Sequence, residues 1–153
     1  PDKVIIGIIN ERLQAEDCKK GYILDGVPRT IAQAEALDKA GIVFDAVINL
    51  EISDEEILQR MSGRRVCEKC GASYHVVAIP PKVEGVCDAC GGTLVQRADD
   101  APKTVASRLE VYHRETEPLK EYYAKKGNLK EIFNQATVEG TTQKILEALG
   151  QNV

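Results

Sequence analysis

No run of this 153-residue chain is apolar for long enough to span a bilayer as a helix. Basic charge is not in excess either. Lys and Arg number 20 against 24 Asp and Glu, a net charge of -4. That balance argues against a chain whose main partner is nucleic acid, although it leaves room for a local basic patch. There is no internal repeat, no low-complexity tract and no visible signal peptide, and the chain opens on Pro1 in what reads as mid-domain sequence. What is present, 43% hydrophobic and 29% charged, suits a globular protein with one core, or a core plus a small insert.

Cysteine is the residue whose placement says most. Cys67-Glu68-Lys69-Cys70 and Cys87-Asp88-Ala89-Cys90 are two C-x2-C pairs, followed at once by Gly71 and Gly91. Two thiolates three residues apart grip one face of a tetrahedral ion, and a second pair closes the other face. The glycine lets the backbone turn back so that amides point at the sulfurs. The spacing predicts a closed structural zinc site at Cys67, Cys70, Cys87 and Cys90, with iron or two disulfides as the alternatives. Cys18 has no obvious mate. Together these features favour a reducing, cytoplasmic setting over a secreted disulfide scaffold.

Hydrophobic periodicity places the other elements. Val4, Ile5, Ile8, Ile9 and Leu13 have helical spacing, with Asp2 as a cap. Residues 21–26 form a short apolar run ending in an acid and read as a buried strand. Val27-Pro28-Arg29 forces a turn, Thr30 with Gln33 makes a capping box for a second helix, and Gly41 ends it. Residues 45–50 read as a second strand, and Ser53 with Glu56 caps a helix running toward Met61. From about residue 62 to 96 the helical period disappears among prolines, glycines and the four cysteines. A small β-rich insert that relies on metal for its folding energy is expected there. Asp99 and Asp100 start a long helix carrying Val105, Leu109, Tyr112, Leu119 and Tyr122, bent near Pro118. Residues 129–133 read as a third strand, and Thr141 or Thr142 starts a last helix. Such alternation means an α/β fold, a parallel sheet covered by helices. The domain boundaries read as 1–61 and 99–153 for the core and 62–98 for the insert.

Ligands of such sheets sit at the carboxyl ends of the strands, where Asp25 and Arg29 fall. Arg60, Arg64 and Arg65 lie just before the insert, Arg97 just after it, and Arg108 on the long helix. A guanidinium fork matches phosphate oxygens, so several converging arginines would clamp a polyphosphate. Taken singly each could be a solvated surface charge; abutting the two ends of a zinc-clipped insert, they point to anion binding. Asp25 is either a turn acid or a holder of Mg²⁺ through water. His75 and His113 are read as structural or surface groups, and Tyr74 as a packing residue or a platform for a base.

These residues bring a family into view. Asp25-Gly26-Val27-Pro28-Arg29-Thr30 resembles the D-G-[FY]-P-R-[TN] signature of adenylate kinases, with Val27 in place of the aromatic. Gly63-Arg64-Arg65-Val66-Cys67, Tyr74-His75, the stretch from Pro80 to Cys87 and Gln96-Arg97-Ala98-Asp99-Asp100 resemble the zinc-containing lid of the long bacterial form. Residues 105–119 resemble the helix that comes after it. The resemblance implies a P-loop nucleoside monophosphate kinase-like fold and Mg²⁺-dependent phosphoryl transfer between ATP and AMP giving two ADP, by a monomer. It also implies roles. Gly26, Val27, Pro28, Arg29 and Gln33 would contact AMP, Arg29 at its phosphate and Gln33 at its adenine. Arg60, Arg64, Arg97 and Arg108 would surround the phosphates, with Arg64 nearer ATP and Arg97 and Arg108 nearer AMP. Ser73, Tyr74 and the Thr142 backbone would line the ATP adenosine. Asp25 would organise the Mg²⁺ water shell, Asp99 and Asp100 would help hold the closed lid, and zinc would be structural.

One family feature has no counterpart among these residues. No G-x-x-x-x-G-K-[ST] string, whose amides and lysine hold nucleotide phosphates, occurs in the sequence. By the family pattern the first strand, that loop and neighbouring helices would precede Pro1, about sixty residues in all. The 153-residue polypeptide by itself is therefore expected not to turn over. Two other classes compete with the kinase: a zinc-ribbon module for nucleic acid, against which the acidic total charge weighs, and a rubredoxin-like iron site for electron transfer.

Overall fold

The computed structural model describes residues 2–150. It divides into two compact units, one taking in the chain up to Glu51 and again from Val111, the other Ile52–Glu110. The second unit is wider than the 62–98 insert, because a helix on each side belongs to it. Among the described residues no helix is long and apolar enough to cross a membrane.

The first unit begins with helix α1, Asp2–Leu13. Asp2 lies within its first turn, not ahead of it as a cap, and its carboxylate accepts from Gln33 Nε2 at 2.9 Å. The buried face of α1 is also turned from the one expected. Ile6 enters the core, Ile9 and Leu13 lie against it, and Val4 and Ile8 are exposed. A short 3-10 turn, Glu16–Lys20, comes next. Residues 21–24 then run without regular structure, so the strand expected over 21–26 does not form. A strand needs a partner for its amides, and among the described residues the sheet of this unit has two strands, neither of which pairs with this segment. Ile23 is accordingly 95% exposed.

The Val27–Pro28 bond is cis, and helix α2, Ile31–Lys39, starts as expected, with Thr30 Oγ1 accepting from the Gln33 amide at 3.2 Å. Replacing Thr30 by Ala orphans that amide and should destabilise the unit by about 1 kcal/mol in a denaturant titration. Leu37 of α2 is fully buried against Ile6 and Ile42. Gly41, at φ 78°, turns the chain out of the helix.

Strand β1, Val47–Glu51, pairs in parallel with a later strand whose range, Leu129–Phe133, matches the sequence reading. Between them in this unit lie a π-helical turn, Tyr112–Thr116, and a helix, Leu119–Lys126. The buried tyrosine of that helix is Tyr123, packed with Ala34 and Leu119, whereas Tyr122 is only partly covered. The last helix, Val138–Ala148, starts about a turn earlier than expected, because Thr137 rather than Thr141 or Thr142 caps it by accepting from the Gly140 amide at 3.1 Å.

The second unit opens with helix α3, Asp54–Gly63, capped by Ser53 Oγ on the Glu56 amide at 3.2 Å. Three short antiparallel strands succeed it: β2, Arg64–Cys67; β3, Ser73–His75; and β4, Leu94–Val95, in spatial order β3-β2-β4. Their core is small, formed by Cys67, Cys87 and Leu94. Asp99 and Asp100 do not begin the long helix. They sit in a 3-10 turn, Ala98–Asp100, and helix α4 runs Pro102–Val111. The later elements are named in chain order: α5 is Leu119–Lys126, β5 is Leu129–Phe133 and α6 is Val138–Ala148.

Candidate functional site

The four paired cysteines converge. The sulfurs of Cys67, Cys70, Cys87 and Cys90 all lie within 4.8 Å of one another. Cys67 and Cys90 are 3.5 Å apart and Cys70 and Cys87 3.6 Å, with all of them free thiols. A zinc ion held at about 2.3 Å by four sulfurs sets them about 3.8 Å apart, so the donor set and its spacing fit that ion. The glycines make the expected turn, but their amides close it on backbone carbonyls and not on the sulfurs. Gly71 at φ 75° and Gly91 at φ 70° turn back, and their amides bond to the carbonyls of Cys67 at 2.9 Å and Cys87 at 2.8 Å. A side chain at Gly92 would be blocked, because its Cβ would fall 2.8 Å from Cys67 Sγ. Tyr74 supports the site from outside. Its hydroxyl accepts from the Asp88 amide at 2.9 Å and donates to Cys87 Sγ at 3.4 Å. That bond, aided by nearby amides working against burial, holds the Cys87 thiol down at about 6. Cys90 goes the other way. The Gly92 amide lowers it, but the sulfurs around it push it up to about 12. Four thiols that cannot all ionise together are a set that a dication would stabilise.

Beside the sheet, where the chain leaves it, three arginines and two acids form one cluster. Asp100 is fully buried and takes both Arg64 Nε, at 2.7 Å, and Arg64 Nη2, at 2.5 Å. The Arg64 hydrogen bonds hold the Asp100 carboxyl below the usual carboxylate range, against the opposing effect of burial. Asp99 takes Arg97 in the same forked way, Nε at 2.9 Å and Nη2 at 2.7 Å. Arg108 joins from α4, with Nη1 3.2 Å from the Asp99 carbonyl and 3.8 Å from its carboxylate. Arg60 pairs one helical turn back with Glu56 at 2.6 Å, and Arg65 Nη1 caps the end of α3 on the carbonyls of Ser62 and Arg64. The sequence shows the arginines gathering, but which acid each one takes is decided only by the fold.

His75, read as a structural or surface group, has a specific task. Its Nδ1 accepts the amides of Val77 and Ala78, both at 3.1 Å, and Nε2 lies 3.3 Å from the Gln59 carbonyl. That pattern assigns the proton to Nε2. The ring rests on Gly63, where a Cβ would fall 2.2 Å from Nε2.

In the first unit the loop 25–29 stands as a preformed turn. Arg29 is exposed and folds its Nε onto the Gly26 carbonyl at 2.8 Å, while its amide donates to Gln33 Oε1 at 2.8 Å. Gly26, at φ 74°, leaves the room this needs, since a Cβ there would meet Arg29 Nη2 at 3.0 Å. Asp25 is exposed. Gln33 is buried and shared between Asp2 and Arg29. Ser73 is exposed on β3, in the other unit. Thr142 is exposed and sits inside α6, its hydroxyl bonded back to the Val138 carbonyl at 2.9 Å, not at a free helix start. His113 is half exposed and bonds to Glu117 at 2.7 Å. A surface cavity of about 410 Å³ is lined by Ile31, Pro118, Glu121, Tyr122, Lys125 and Lys126, none of them a residue singled out from the sequence as a site.

Comparison with known proteins agrees with the motifs. A family model described as adenylate kinase matches residues 1–128. The chain is 56% identical over 154 residues to an adenylate kinase of Caldicellulosiruptor bescii, spanning 98% of this chain and 72% of that one. It is 56% identical over 153 residues to an adenylate kinase of Carboxydothermus hydrogenoformans (97% and 72%), and 52% identical to one of Acetivibrio thermocellus (97% and 70%).

Proposed function

The chain belongs to the adenylate kinase family, and from that premise we propose that Arg29 in its first unit and Arg97 and Arg108 in its second receive the nucleotide phosphates. The reaction of the family is phosphoryl transfer between ATP and AMP to give two ADP, with magnesium accompanying the nucleotide, and it is the function of this chain. The observation that carries the assignment is the carboxylate of Asp99, forked on Arg97 and shared with Arg108. A carboxylate and a phosphate offer a guanidinium the same pair of oxygens. Asp99 therefore keeps two mutually repelling cations together, in the geometry a phosphoryl group would take over. Charge in phosphoryl transfer spreads over the equatorial oxygens, and cations already aimed at those oxygens need no reorganisation as the charge develops.

The other residues divide by what they are free to do. Arg64 is committed to buried Asp100 and positions the chain, leaving ATP contact to a lesser share of its donors. Arg60 can exchange Glu56 for phosphate, because that pair is half exposed. Tyr74 has spent its hydroxyl on the cysteine knuckle, so only its ring face, with Ser73 beside it, is offered to adenosine. Gln33 keeps one amide hydrogen and one lone pair, a set that an adenine edge takes bidentately. Gly26, Val27 and Pro28 shape the turn that presents Arg29, and exposed Asp25 is placed to hold magnesium-bound water. Zinc in the four-cysteine site would be structural. It supplies a cross-link between the two knuckles and no step of the transfer.

Arg97→Ala and Arg108→Ala test the assignment in the full enzyme. Each should lower kcat about 10²–10³-fold, the loss typical of one preorganised charge donor. Their stability cost should stay near 1 kcal/mol or less, because the pairs they leave are half exposed. Loss of turnover that merely tracks a loss of folded protein would overturn it.

A further inference from the structure

We propose that Thr116 is a positioning residue for the Arg29 guanidinium, brought into place by the π-helical turn that precedes α5. This rests on the reading that Arg29 receives an AMP phosphate. The turn Tyr112–Thr116 closes with the Glu117 amide on the Tyr112 carbonyl at 2.9 Å, five residues back instead of four. A π turn adds one residue to the α-helical register, which rotates the downstream side chains by about 100°. It weakens the ladder around it and persists where the displaced side chains have a use. Here the displaced side chain is Thr116. Its Oγ1 donates to the carbonyl of Arg29 at 2.7 Å, across 87 positions of sequence.

That bond completes a set. The Arg29 amide is held by Gln33 Oε1, Gln33 is itself oriented by Asp2, and Arg29 Nε is held by the Gly26 carbonyl. With the carbonyl taken by Thr116, both backbone polar groups of Arg29 and its Nε are fixed. The two terminal nitrogens, on an exposed residue, are what remains for a ligand. Three of these anchors are local to residues 26–33 or reach back to α1. Thr116 is the one of these four anchors that ties the loop to the segment leading into α5, so it sets where the loop stands and not only how it is folded. An arginine held this way binds an anion without first losing rotamer freedom. Neither the arginine pattern nor any motif in the sequence marks Thr116.

The test compares wild type with Thr116→Val, Thr116→Ser and Arg29→Ala. AMP and uncharged adenosine are titrated calorimetrically, and exchange of the Arg29 Nε–H is monitored by NMR without ligand. Thr116→Val keeps the shape and removes the hydroxyl. It should weaken AMP about 2- to 12-fold, the affinity equivalent of one neutral hydrogen bond. It should leave adenosine binding unchanged and speed the Nε–H exchange, and Thr116→Ser should restore both the AMP affinity and the slow exchange. Equal loss of AMP and adenosine, failure of Ser to rescue, or unchanged Nε–H exchange in Thr116→Val would overturn the proposal. Arg29→Ala separates the two ideas. If it leaves AMP affinity intact, the phosphate reading falls, and the exchange measurement alone then decides whether Thr116 positions Arg29.

Discussion

Stripping metal from the four-cysteine site should unfold the β2–β4 insert and leave α2 and β1 folded. The insert has little else to hold it. Its buried apolar residues reduce to Leu94 and two of the cysteines themselves, whereas the first unit buries Leu37, Ala34, Ile6, Ile42, Leu119 and Tyr123. Structural zinc contributes an apparent ~10–16 kcal/mol at neutral pH, as much as the whole stability of an ordinary domain. Treatment with a strong chelator and then amide exchange should expose the Gly71 and Gly91 amides and those of β2, with zinc released at one ion per chain. Cys87→Ser should do most of the same without chelator, since it removes one of the four thiolate ligands and replaces the sulfur that the Tyr74 hydroxyl meets. Protection at Gly71 and Gly91 that survives metal removal would refute a metal-dependent insert. Strong visible absorption of the purified protein would assign the site to iron.

Asp100→Asn should be the most damaging single substitution among the charged residues. Asp100 is fully buried and Arg64, at 29% side-chain exposure, is mostly so. Removing one partner of a buried pair costs about 3–5 kcal/mol, because the other charge is left uncompensated. The lower end is expected, as water reaches part of Arg64. For a unit of this size about 3 kcal/mol is a fall in Tm of roughly 12 °C or more. Asp99→Asn, whose pairs are half exposed, should cost about 1 kcal/mol or less. The pH dependence has a definite sign. Arg64 holds the folded-state carboxyl of Asp100 below its unfolded value, which is about 3.9. Its stabilisation is therefore complete above that unfolded value and is lost as pH falls through the folded one. Denaturant titrations should show no contribution from this pair changing between pH 7 and 5. A decline should appear only in stronger acid, and Asp100→Asn should flatten it.

The features legible in the sequence are those whose cause lies within a few residues. The cysteine knuckles, the Thr30 and Ser53 caps and the helix stop at Gly41 are local, and each stands where the spacing puts it. The segment 21–26 reads as a strand because apolar composition marks willingness to pair. Pairing itself needs a neighbour, and among the described residues no strand reaches it. The start of α6 lies earlier than its spacing suggests because three threonines compete to cap it, and the first to find an amide, Thr137 on Gly140, wins. The π turn has no signal at all, since a one-residue slip in the hydrogen-bond ladder leaves composition and period nearly untouched. The arginines are visible as a group, but their division is not. Only the fold buries Asp100 and leaves Asp99 partly exposed, which turns Arg64 into a fastening and keeps the pairs of Arg97 and Arg108 within reach of solvent.

The imidazole of His75 lying on Gly63 has a meaning for descent. A methyl group at position 63 would occupy the space of the ring, and a ring lost from position 75 would leave the Val77 and Ala78 amides without their acceptor. Positions 63 and 75 should thus be inherited as a pair. A lineage that gains alanine at 63 should first have given up histidine at 75, and the reverse order should be found nowhere among functional descendants.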